Sequence, residues 1–123
     1  MPMKQVSVGD LAYRIRAIPH EAGWIASAER ADSDVRFGVE CTGATESEAT
    51  DRLLSWLDWQ HEHSTALAAL QQAERAYHRT VAGAAFAAPG EEASVLELQS
   101  ESLDALEAAR VRLDEVRARR PEL

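Results

Sequence analysis

With 123 residues and one cysteine, Cys41, the chain is long enough for a single domain and cannot form an internal disulfide. Its net charge of −8 argues against bulk electrostatic attraction to DNA, RNA or anionic lipid. No run of about 18 apolar residues is present to span a membrane. The opening MPMKQVSVGD has neither the basic nor the apolar region of a signal peptide. A reducing, cytoplasmic setting is the expectation. Arginine supplies all the basic residues except Lys4, which reads as the codon bias of a GC-rich genome.

Two textures meet near Thr45. Before it, apolar residues alternate; after it, they recur at helical spacing. In LAYRIRAIP, Leu11, Tyr13, Ile15 and Ala17 fall on one face and Arg14 and Arg16 on the other, the period of a half-buried strand. Pro19 to Gly23 supplies turn residues, and GWIASAER resumes the extended pattern with Trp24, Ala26 and Ala28 on one side. After the turn ADSD (Ala31–Asp34), VRFGVEC places Val35, Phe37, Val39 and Cys41 on one side. Three short strands with tight connections predict an antiparallel β-meander over residues 1–44. Val6 and Val8, ahead of a Gly9-Asp10 turn, allow a short fourth strand.

Thr45-Glu-Ser-Glu48 has the form of a capping box and starts a long first helix, expected over 45–87 and ended by Gly83, Pro89 and Gly90. Ser94-Val-Leu-Glu97 has the same form, and a second helix is expected over 94–120, before Pro121. Its first half is acidic (Glu97, Glu101, Asp104, Glu107) and its last turns basic (Arg117, Arg119, Arg120), which suits the helix dipole at both ends. The second helix can pair with only the end of the first. Ala49, Leu53, Trp56 and Leu57 are therefore left to cover the sheet, and the remainder projects as half of a coiled-coil-like hairpin. The predicted class is α+β, a single domain in which a three-stranded antiparallel meander packs on the start of a long helix, followed by an antiparallel two-helix hairpin.

On a helical wheel the second helix gathers Val95, Leu98, Ala105, Leu106, Ala109, Leu113 and Val116 into one stripe, which Leu96 and Leu103 widen beyond what a single neighbour covers. The hairpin is therefore expected to bury itself against another copy, in a homodimer of four-helix-bundle type. Leu67, Leu70, Glu74, Tyr77, Val81, Leu98, Leu103, Leu106, Leu113 and Val116 are the expected hairpin and dimer interface. Glu74 is expected beside Leu106 and Arg110, forming an ion pair with the arginine, and His63 near Arg117.

Candidate chemistry is sparse. SWLDWQHEHS contains Asp58-Trp-Gln-His61, a carboxylate–histidine spacing used in di-metal bundles. On the wheel, however, Asp58, His61 and Glu62 point away from the apolar stripe toward solvent, and the second helix has no matching motif, so no metal site is expected. His63 lies inside the stripe, either as a satisfied structural group or as a pH switch. Cys41, on the inward phase, reads as a small core residue. No phosphate-binding glycine loop and no glycine-flanked nucleophile is present, so neither enzyme activity nor a cofactor is expected. Arg14, Arg16 and Arg36 share the sheet face away from the helix with Glu29 and Glu40. That face suits either cross-strand ion pairing or docking of a partner.

The junction GATESEA (Gly43–Ala49) resembles the G-x-T-x-x-E-A junction of HicB-type antitoxins and related small β-β-β-α domains, and Tyr13 and Gly23-Trp24 fit the same pattern. The resemblance covers about residues 11–60. It implies a β-β-β-α fold for the first half and a protein partner. The family's Leu-Pro-Gly segment in the third strand and its DNA-binding segment are absent, so antitoxin activity is not implied. The expected function is a non-enzymatic protein–protein interaction module, adaptor, antitoxin-like or inhibitory, that self-associates through its hairpin and binds a further protein. Alternatives are nucleic-acid binding through the arginine-bearing sheet face, with its lack of stacking aromatics against it, and a small ligand- or metal-binding helical bundle.

Overall fold

Alternation along the first third of the chain does produce strands, and the computed structural model describes them within residues 4–32 and 36–122, with the backbone alone for 36–38. Val35 of the expected third strand, and the side chains of Arg36 and Phe37, lie outside the described residues. The elements are β1 (Lys4–Val8), β2 (Leu11–His20), β3 (Gly23–Arg30), β4 (Arg36–Gly43), α1 (Glu46–Ala84) and α2 (Glu92–Ala118). The chain divides into two compact units, Met1–His61 with Arg120–Leu123, and Glu62–Arg119. The class is α+β, with a fully antiparallel sheet in the order β1-β2-β3-β4.

The sheet thus has four strands where a three-stranded meander was expected. The extra strand is the one allowed by Val6 and Val8. Val8 pairs with Leu11 across the two-residue turn Gly9-Asp10. Gly9 has φ +62, a value glycine adopts without the Cβ penalty of other residues. A positive φ at the first central position is the arrangement of a type II′ hairpin, whose twist matches that of the strands. At the β3–β4 pair the register steps from Ser27↔Glu40 to Ala28↔Phe37, so β4 carries two extra residues.

The first unit is built on the inward residues that alternation predicts. Tyr13, Ile15 and Ala17 of β2, Ala26 and Ala28 of β3 and Cys41 of β4 are buried with Val8, and Ala49, Leu53, Trp56 and Leu57 of α1 close over them. Those α1 residues recur at i, i+4, i+7 and i+8, one apolar stripe of a helix. The alanines of β3 are fully buried. Lacking long side chains, they leave room for Leu53 and Trp56 to come close to the sheet.

The β4–α1 junction is tightly made. Thr45 Oγ1 accepts the Glu48 amide at 3.1 Å, as the capping box predicts. Glu48 reaches back one residue further than expected, its Oε2 accepting from the Ala44 amide at 3.2 Å. Arg52 Nη1 donates to the Thr42 carbonyl at 3.1 Å and Arg52 pairs with Glu48 at 3.4 Å, tying the second turn of the helix to the end of the strand. A Cβ on Gly43 would stand 2.5 Å from the Ala49 backbone nitrogen, so only glycine permits this approach.

The second unit is an antiparallel hairpin of the later part of α1 and α2. Arg117 lies against His63, and Glu62 pairs with Arg119, while Thr80 and Gly83 lie beside Val95 and Leu98. The second capping box is not formed. α2 begins two residues before Ser94, with Glu91 at the N-cap position and no side-chain cap. The turn supplies the reason. Gly90 at φ +93 reverses the chain earlier. Glu91 Oε2 then accepts from the Ala88 amide at 3.2 Å, and Glu92 Oε2 from the Gly90 amide at 2.9 Å. Among the described residues, no helix is long and apolar enough to cross a membrane.

Candidate functional site

The side chains of SWLDWQHEHS are divided between core and surface. Trp56 is buried in the first unit's core, its ring centroid 6.3 Å from that of Trp59. Arg120 places its guanidinium 5.7 Å from the centroid of Trp59, a cation–π contact within the usual range. Asp58 and Glu62 are exposed. His61, expected to face water, is half-buried instead. Its ring lies directly over Gly9, where a Cβ would collide with it. The long-range pairing of β1 brings that turn under the helix, which a wheel drawn for one helix does not represent. Among the described residues, no group of three or more His, Cys, Asp or Glu side chains could hold a metal.

His63 is half-buried in the second unit. Arg117 Nε donates to His63 Nε2 at 3.4 Å, a long bond that needs this nitrogen unprotonated. Beside it, Glu62 Oε2 and Arg119 Nη2 pair at 3.2 Å. The ion pair expected between Glu74 and Arg110 is not formed; Glu74 is half-buried and Arg110 exposed.

The outward sheet face is a ladder of charge. Arg14 stands opposite Glu29 in the β2–β3 register and its Nη2 lies 3.5 Å from Glu29 Oε2, both side chains being about one-third exposed. Arg16 is exposed and stands opposite Ser27, which in turn faces Glu40; Arg16 and Glu40 both have partners of their own. Arg36 pairs through its backbone position with Glu29, and its side chain lies outside the described residues. Such half-exposed pairs contribute tenths of a kcal/mol, about 0.2–1 each.

Cys41 is buried beneath α1. Burial pushes its thiol pKa up, and the Arg52 guanidinium opposes this more weakly. A thiolate nucleophile needs the opposite environment.

Among the described residues, the exposed large hydrophobic side chains other than Ile18 lie on the hairpin. Of the residues expected at its interfaces, Leu106, Leu113 and Val116 are buried between the helices together with Ala66, while Leu67, Leu70, Glu74 and Tyr77 are half-buried. Leu98, Leu103 and Val81 are instead exposed, as are Leu96, Val111 and Phe86. One feature, Phe86, lies outside the helical periodicity. Phe86, in the turn between α1 and α2, is 89% exposed. Near it an open, mostly apolar groove of about 380 Å³ is lined by Ala76, Arg79, Thr80 and Gly83 of α1 and by Val95, Leu98 and Ser102 of α2. The one linear signal for Phe86 is VAGAAFAAPG, residues 81–90, which contains no charged or polar side chain. No family model matches the chain, and neither a curated protein nor a solved structure is significantly similar to it.

Proposed function

We propose that the chain is a non-enzymatic protein–protein interaction module that self-associates through the hairpin of α1 and α2. One observation carries this reading. Apart from Ile18, every large hydrophobic side chain that the described residues expose belongs to the hairpin: Val81, Phe86, Leu96, Leu98, Leu103 and Val111. Scattered apolar residues are normal on a surface, but a concentration on one element marks an interaction site. Among the described residues, the two helices bury only the narrow seam of Ala66, Leu106, Leu113 and Val116, so the flanks of the stripe remain available to a further helix layer.

The order β2-β3-β4-α1 supports the kinship proposed for the first unit with HicB-type β-β-β-α domains, and with it an adaptor, antitoxin-like or inhibitory role toward a second protein in the cytoplasm. The charge ladder of Arg14 and Glu29 suits such a partner better than a nucleic acid, because a paired guanidinium is less available to phosphate.

Sedimentation velocity across a concentration series tests the reading. A dimer that strengthens toward high micromolar concentration is expected. A monodisperse monomer at the top of the series overturns it.

A further inference from the structure

We propose that two copies of the chain exchange Phe86 across a two-fold axis at the hairpin tip, each ring filling the groove of the other copy. The proposal rests on the self-association reading above and assigns it a contact. The knob is Phe86, 89% exposed and therefore not seated in the groove of its own chain. It is held on an ordered support. The Ala85, Phe86 and Ala87 amides donate to the carbonyls of Ala82, Gly83 and Ala84, and the Glu91 amide to that of Ala88. The Ala88 and Gly90 amides are taken up by the carboxylates of Glu91 and Glu92. A turn whose backbone is satisfied this fully presents its aromatic group at low entropic cost, as binding anchors do.

The socket is the groove at Ala76, Gly83, Val95 and Leu98. A cavity of about 150 Å³ accommodates a benzene ring, and this groove measures about 380 Å³. A Cβ placed on Gly83 meets nothing within 4 Å, so the floor beside the turn is open. Leu98 lines the groove and is itself 57% exposed, apolar area that an incoming ring would cover. Knob and socket lie at the same end of the hairpin, with Gly83 only three residues before Phe86. An isologous contact requires that arrangement, since each copy must give and receive across one axis.

Charge points to a second copy as the occupant. Arg79 lines the groove, and Glu91 and Glu92 follow the knob. Reciprocal insertion brings the carboxylates of one copy beside the guanidinium of the other. The same carboxylates, with Glu97 behind them, oppose insertion of the tip into an anionic lipid surface.

Sedimentation equilibrium on the full chain tests this with Phe86→Ala, which removes the knob, and Gly83→Leu, which fills the socket. Neither position is buried, so both variants keep the helical circular dichroism of the parent. Each removes two reciprocal contacts per dimer, and dimerisation is expected to weaken on the order of a hundredfold or more. Ile18→Ala, at the one exposed large hydrophobic position outside the hairpin among the described residues, leaves the dimer unchanged. If the parent dimerises and both tip variants dimerise equally well, the exchange is overturned while self-association stands. If the parent is a monomer throughout, both fall together.

Discussion

Cys41 has 1% of its surface exposed, in a core closed by Leu53 and Leu57. Removing a thiol from water disfavours the thiolate, and this outweighs the pull of the nearby Arg52 guanidinium, so its pKa lies above the ordinary value. The consequence for stability has a definite sign. The unfolded chain releases the proton more readily than the folded one, so the contribution of Cys41 is fully present below the unfolded pKa, about 8.5. It is lost as pH rises from there through the folded pKa. Urea unfolding of the parent and of Cys41→Ala between neutral and alkaline pH isolates the effect, since tyrosine and lysine titration is common to both. The parent is expected to lose stability more steeply above about pH 8.5. Parallel pH profiles would show that the thiol is no better solvated unfolded than folded. The same burial explains why this cysteine is a packing residue: a reagent has no path to it in the folded chain.

Among the elements, the two helix starts show how alike two motifs can be in sequence and how different in structure. Thr45-Glu-Ser-Glu48 and Ser94-Val-Leu-Glu97 both have the capping-box form, but only Thr45 caps. Thr45→Ala is therefore expected to cost about 1 kcal/mol in chemical denaturation. Ser94→Ala, inside the first turn of α2, should be neutral or stabilising by a few tenths, about 0.5 kcal/mol at most. Equal losses at the two positions would mean that Ser94 caps in solution. The contrast also locates what was legible. The strands β2 and β3 and the cap of α1 are local patterns, set by alternation and by contacts between residues three or four apart. β1 was legible only as Val6 and Val8 before Gly9-Asp10, because so short an edge strand is specified mostly by its turn. The seat of His61 on Gly9 and the contact of Arg120 with Trp59 join residues about 50–60 positions apart, a separation that no periodicity encodes. Phe86 carries no periodic signal for a related reason. It lies where the helical period ends, so no wheel places it.

For the whole molecule, the apolar residues of the hairpin do two separable jobs. Leu106 is 4% exposed between the helices, whereas Leu98, in the same wheel stripe, lines the open groove. A wheel groups them because it reports direction from one axis and not the width of the neighbour. Leu106→Ala should therefore lower the unfolding free energy by about 2–4 kcal/mol through lost burial and a residual cavity. Leu98→Ala should change the stability of the isolated chain by no more than about 0.5 kcal/mol. Mass action separates the two effects further. A dimer that dissociates on unfolding has a melting temperature that rises with protein concentration. Leu106→Ala should shift that whole line downward, while Leu98→Ala should flatten its slope and converge on the parent at high dilution. Differential scanning calorimetry over a dilution series reads both at once. A flat line for the parent would leave the exposed apolar stripe without a self-association role, and a steep, unaltered line for Leu98→Ala would move the contact to the opposite flank, around Leu96 and Leu103.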